Sequence, residues 1–138
     1  MKIRNGYVTS SSSTFFLISL KEEWRKENFM SAMGADGNSP MNRIFEELFK
    51  AIENNKQELH EAITERGQKT LTVTEFLERE GFDSETREIV EKLIFEGRTV
   101  YYGRLHSEAE TASEIYFTCR SFVVCEDDIY FNGSIGGW

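Results

Sequence analysis

The chain has 138 residues, a formal net charge of −8, 39% hydrophobic residues and 13% aromatics, eleven of them Phe. That length fits one domain (1–138), long enough to bury a self-supporting core without disulfide or metal staples, and the composition excludes intrinsic disorder. No stretch approaches the roughly 20 apolar residues of a membrane helix.

The first segment, Met1 to Thr14, leads through Arg4, Gly6, Tyr7 and Val8 into an unbroken hydroxyl run, Thr9 to Thr14, and then onto the apolar Phe15-Phe-Leu-Ile18. A serine tract is ordinarily linker material, yet this one adjoins the strongest buried-strand signal in the chain. Arg4, Gly6, Tyr7, Val8, Thr9, Ser11, Ser12, Ser13, Thr14 and Phe15 fit the pattern R-x-G-[FY]-V-[ST]-x-S-S-S-[ST]-F. In this the opening resembles the start of many small bacterial and phage proteins; Ser10 stands where that pattern often has Asn. The resemblance covers about a tenth of the chain and implies no particular activity. For a phage protein it implies a host-directed accessory or inhibitor. From the residues alone, Arg4, Ser10, Ser11, Ser12 and Ser13 are candidates for a modification site or an anion cradle. The alternatives are a structural turn, with Gly6 supplying an unusual backbone angle, and a processing tag.

Residues 14–20 read as a strand apolar on both faces, hence central and covered. A helix is expected from Lys21 to about Met33, closed by the breaker cluster Gly34 to Pro40. Ser39 and Pro40 suit the start of the next helix. Its apolar stripe runs Met41, Ile44, Phe45, Leu48 and Ile52, resuming at Leu59 and Ile63, with a polar interruption at Glu53 to Gln57. Gly67 is a natural stop. Thr72-Val-Thr-Glu75 has capping-box spacing for a short helix closed by Gly81. Asp83 or Ser84 can cap a further helix that ends at Gly97.

Beyond Gly97 the period changes. Thr99 to His106 is rich in β-formers, Ile115 to Arg120 alternates, and Phe122–Cys125 and Ile129–Phe131 flank Glu126-Asp-Asp128 as a hairpin with a three-residue loop. Asn132-Gly133 is expected to end that strand. The order is α+β: an N-terminal strand joins a C-terminal antiparallel sheet of three or four strands, with three or four central helices on one face.

The charge is uneven: +2 over residues 1–45, −7 over residues 46–97 and −3 over residues 98–138. Direct nucleic-acid binding is disfavoured, because phosphate contacts need clustered Lys and Arg. An acidic helical face suits a protein partner with a basic surface, and Glu46, Glu47, Glu53, Glu58, Glu61 and Glu65 are the candidate contacts, flanking the apolar stripe at helical spacing. The competing view of the same residues is a solvated face that maintains solubility.

Cys119 and Cys125 form no C-x-x-C pair and are expected as free, inward strand thiols in a reducing compartment. No secretory pattern is legible, since Lys21-Glu-Glu-Trp24 follows the short apolar run; the cytoplasm is the expected location. His60 reads as a surface histidine and His106 as a strand residue able to pair with a thiol. Glu108-x-Glu110 with Arg4 and the serine run has the order but not the spacing of ADP-ribosyltransferase elements. Glu126, Asp127 and Asp128 suit a solvated turn better than a cation site. No cofactor or metal is implied. The second functional reading is a small enzyme or nucleotide or phosphate binder built on Arg4, Ser10 to Ser13 and His106. Trp138 and the Phe-rich composition are also compatible with a homodimer through a sheet edge.

Overall fold

The computed structural model describes residues 13–35, 40, 42–65, 72–106 and 122–136. Ten elements follow in order: β1 (Ser13–Leu20), α1 (Lys26–Ala32), α2 (Asn42–Asn55), β2 (Gln57–Glu58), α3 (Leu59–Glu65), α4 (Val73–Arg79), α5 (Ser84–Phe95), β3 (Tyr101–His106), β4 (Phe122–Cys125) and β5 (Ile129–Gly136). The fold is α+β, with one antiparallel sheet in the order β2-β3-β1-β5-β4.

β1 is the central strand, as its two apolar faces predict. Phe16, Ile18 and Leu20 point to one side, where they pack with Phe29 of α1, Leu48 and Ile52 of α2, and Phe131. Leu17 points to the other side and packs with Leu59 and Ile63 of α3, Phe76 and Leu77 of α4, and Val90 and Leu93 of α5. The expectation of helices on one face is therefore corrected. A strand whose side chains alternate direction and whose apolar residues fall on both faces needs cover on both sides.

Three helices end alike. After α1, α4 and α5 a glycine takes a left-handed φ: Gly34 at 74°, Gly81 at 95° and Gly97 at 86°. The next residue's amide then reaches back to the turn: Ala35 to the Met30 carbonyl, Phe82 to Leu77 and Arg98 to Leu93. This is the Schellman closure that glycine favours. The predicted capping box at Thr72 and Glu75 is present, and Asp83 caps α5 by accepting from the Thr86 amide at 2.8 Å. At α1 the helix starts later than expected, at Lys26, after Arg25, whose side chain makes no capping bond.

Two elements depart from expectation. The polar interruption after α2 holds Gln57 and Glu58 in extended form, paired with Tyr102 and Tyr101. β5 does not stop at Asn132-Gly133 but continues to Gly136, because β1 supplies partners along its whole length, from Leu20 opposite Ile129 to Ser13 opposite Gly136. Tertiary pairing here overrides a local turn signal. Gly103 is required by packing: a Cβ there would lie 2.5 Å from Phe16 Cζ and 2.7 Å from the Asn55 carbonyl oxygen. The expected strand at Ile115 to Arg120, the stop at Gly67, Ser39 and Met41 lie outside the described residues.

Candidate functional site

The six candidate glutamates do not form one free acidic surface. Their sequence spacing places them beside the apolar stripe of α2 and α3, but long neighbouring side chains occupy most of their carboxylates. Glu46 pairs with Lys26 of α1 at 3.3 Å, and Glu47 pairs with Arg43 one turn back at 3.8 Å. Glu53 accepts from Trp24 Nε1 at 2.8 Å and pairs with Lys56 at 3.1 Å. Partial burial works against its charge, but the Trp24 and Lys56 contacts outweigh it and hold its pKa below the ordinary value. Lys56 also lies 4.7 Å from the Tyr101 ring centroid and 5.4 Å from that of Trp24. That cation–π contact makes the group a clasp between the loop before α1 and the end of α2.

Glu58 acts on its own backbone. It accepts from the amides of His60 at 3.0 Å and Glu61 at 3.2 Å, and its Oε2 lies 2.8 Å from His60 Nδ1. Burial raises its pKa, but these donors outweigh that and lower it. Glu65 accepts from the Gln57 amide. Among the described residues the Glu61 carboxylate alone of the six has no side-chain or backbone partner.

Acidic groups without ion pairs collect instead on α5 and its C-cap, Glu96. Glu85, Glu88 and Glu96 are exposed and form no ion pair among the described residues, and Glu91 accepts from the Thr74 hydroxyl. At 3.6 residues per turn, Glu88, Glu91 and Phe95 share one outward face. Phe95 is 91% exposed there. Leu93 and Ile94 complete the inward face, and Phe95 falls a further step round the helix.

A second feature lies between α5 and the β4–β5 hairpin. Val123 and Cys125 stand opposite Asn132 and Tyr130 in the register, on the face that α5 covers. Thr86 of α5 reaches Asn132, so β5 is covered, while Val123 stays 61% exposed and Cys125 is exposed. The expected inward Cys125 is thus corrected: α5 stops short of β4. The uncovered strip borders a cavity of about 450 Å³ at the N-terminal end of α5 and an open groove of about 1050 Å³ toward its C-terminal end. Ile89 lines both. At the base of the smaller cavity lie three buried polar side chains, Thr86, Tyr130 and Asn132. Asn132 Nδ2 donates to Tyr130 Oη at 2.8 Å and Thr86 Oγ1 at 3.2 Å. Burial pushes the Tyr130 phenol above its ordinary pKa, so it is held neutral. The sequence hides this trio because its members lie 46 residues apart and Asn132-Gly133 has the composition of a turn.

Arg4, Ser10, Ser11 and Ser12 lie outside the described residues, as do Cys119, Glu108, Glu110 and Trp138. Ser13 opens β1, where its backbone pairs with His106 and Gly136. His60 is exposed and bound to Glu58, a surface histidine. Glu126, Asp127 and Asp128 are exposed and form the loop closed by Glu126 and Ile129. Among the described residues no group of three metal-ligating side chains converges, and no helix is long and apolar enough to cross a membrane. No protein-family model matches the chain, nor does any of the curated proteins or solved structures compared with it.

Proposed function

We propose that the protein acts by binding another protein, one with a basic surface, through its acidic helical region at residues 46–97. The observation that carries this reading is Phe95. A phenylalanine 91% exposed in the last turn of α5, beside Glu91 and Glu96, leaves about 2 kcal/mol or more of burial free energy unused in the isolated chain. Aromatic anchors set within charge that is screened only over roughly 8 Å are the usual centres of protein interfaces. The contact face therefore centres on α5 (Glu88, Glu91 and Phe95) and its C-cap, Glu96. The glutamates of α2 and α3, all but Glu61 already engaged within the chain, contribute at its margin. Such a mode suits a host-directed accessory or inhibitor protein of the kind the N-terminal resemblance implies.

Affinity capture with a C-terminally tagged chain tests this when run in parallel with Phe95→Ser. A partner retained by the parent chain, released by salt and lost from Phe95→Ser at unchanged thermal stability supports the reading. Equal retention by both chains removes Phe95 as the anchor.

A further inference from the structure

The cavity at the start of α5 combines three kinds of surface. Its walls are apolar, from Phe82, Ile89 and Val123; Asp83 and Glu85 bring exposed carboxylates to it; and Asn132, Tyr130 and Thr86 form a buried polar base. The base is not explained by the fold. Asn132 is 6% exposed on the face that carries Leu17, Tyr102 and Val90, and an aliphatic residue would fill the same position without the cost of burying an amide. Its Nδ2 is spent on Tyr130 and Thr86. Among the described residues nothing donates to its Oδ1, which leaves an acceptor at a site that small molecules can reach.

The charge is one-sided as well. Among its described lining residues the cavity has two carboxylates and no Lys or Arg. Arg87, whose charge also acts on Asp83, donates to the Phe82 carbonyl at 3.1 Å and pairs with Glu78 at 3.6 Å. Asp83 accepts from the Thr86 amide at 2.8 Å, and hydrogen bonds from Thr86 hold its pKa below the ordinary value, so the carboxylate stays charged at the rim. The helix N-terminus by itself would favour an anion, but two carboxylates beside it oppose one. Acceptors at the base and rim with apolar walls between them suit a planar cation with several donors and an apolar stem. The guanidinium of arginine is such a group: weakly hydrated, forked and always charged.

We infer that the cavity formed by Asp83, Glu85, Thr86, Tyr130 and Asn132 is a seat for an arginine side chain presented by the partner protein. The inference rests on the reading that the partner is basic. It specifies which basic group is recognised and where, at the opposite end of α5 from Phe95.

The test uses the full chain, with Nα-acetyl-arginine methylamide as probe and its citrulline isostere, equal in shape but uncharged, as control. Binding is followed by ¹H–¹⁵N spectra. The arginine derivative is expected to shift the Asn132 side-chain resonances and the Thr86 and Ile89 amides saturably, with citrulline at least about tenfold weaker, as loss of a charge-assisted pair implies. Asp83→Asn combined with Glu85→Gln removes both charges and keeps the helix cap, since Asn caps as well as Asp; it should weaken binding by a similar factor. Equal binding of citrulline, or shifts that spread over the surface acids without Asn132, would overturn the inference. The two proposals then separate cleanly. Partner affinity lost in Phe95→Ser but untouched by the Asp83/Glu85 variant overturns the arginine seat and leaves the protein-binding reading standing. Saturable arginine binding at Asn132 with no protein partner recovered does the reverse.

Discussion

Asn132 donates its side-chain amide to the Tyr130 hydroxyl at 2.8 Å, two residues back along the same strand. Residues i and i+2 of a strand share a face, so the contact is built into β5 itself and needs only Thr86 of α5 to complete it. The expected consequence is a sharp penalty for breaking it. Asn132→Ala leaves two buried hydroxyls without their donor and should cost about 1–3 kcal/mol. Urea unfolding checks this, with a lowered midpoint at unchanged slope.

Gly103 faces the opposite side of the sheet and tests packing alone. Gly103→Ala drives a methyl to within 2.5 Å of the Phe16 ring and 2.7 Å of the Asn55 carbonyl oxygen. Overpacking of this kind costs about 1–3 kcal/mol. Shortening the ring in Gly103→Ala/Phe16→Leu should recover little, because the backbone oxygen remains in place. A full recovery measured by thermal unfolding would show that α2 can shift away from β3.

Helix caps provide graded controls. Thr72→Ala removes the hydroxyl that accepts from the Glu75 amide at 3.1 Å and should lower stability by about 1 kcal/mol, whereas Thr72→Ser should be close to neutral. Gly97→Ala places a side chain at a φ of 86°, and should cost on the order of 1 kcal/mol despite open space around it.

Acid should weaken the fold through a small set of carboxylates. Glu53, Glu58, Glu75 and Asp83 all have pKa values below their ordinary ones. For Glu53 and Glu58, hydrogen bonds and local charge outweigh burial; for Glu75 and Asp83, hydrogen bonds from Thr72 and Thr86 dominate. A depressed folded-state pKa contributes stability that is fully present above the unfolded value. That stability is lost as pH falls through the folded one. Stability is therefore expected to hold from neutral pH down to about 4.5, the ordinary glutamate value, and to decline below it. Glu58→Gln should flatten that decline in a series of unfolding curves.

Much of this fold is legible in the chain because its signals are local. β1 declares itself by apolar residues on both faces, Thr72 and Asp83 by their spacing to the helix amides, and Gly34, Gly81 and Gly97 by standing where helices must stop. What escapes is non-local. That α1 and α2 pack against one side of β1 and α3 to α5 against the other cannot be read from helix periodicity, which shows that a face is buried but not against what. Asn132-Gly133 imitates a turn until β1 pairs across it. Cys125 looks inward by alternation, and is exposed only because α5 covers β5 and ends short of β4. The site differs for the same reason. The acidic bias of residues 46–97 is visible, but Glu46, Glu53 and Glu58 are taken by Lys26, Trp24 and Lys56, and the amides of α3, contacts that only the folded chain creates. The free acids and the exposed aromatic fall on α5.

The protein-binding proposal requires α5 to carry a charged docking face. The most direct measurement is the affinity for the captured partner, by isothermal titration, at low and at high salt, for the parent chain and for Glu88→Gln/Glu91→Gln/Glu96→Gln. The parent chain should lose affinity steeply as salt rises, and the triple variant should start weaker and depend on salt far less. An affinity unchanged between the two salt concentrations, or a triple variant that matches its parent at both, would contradict it.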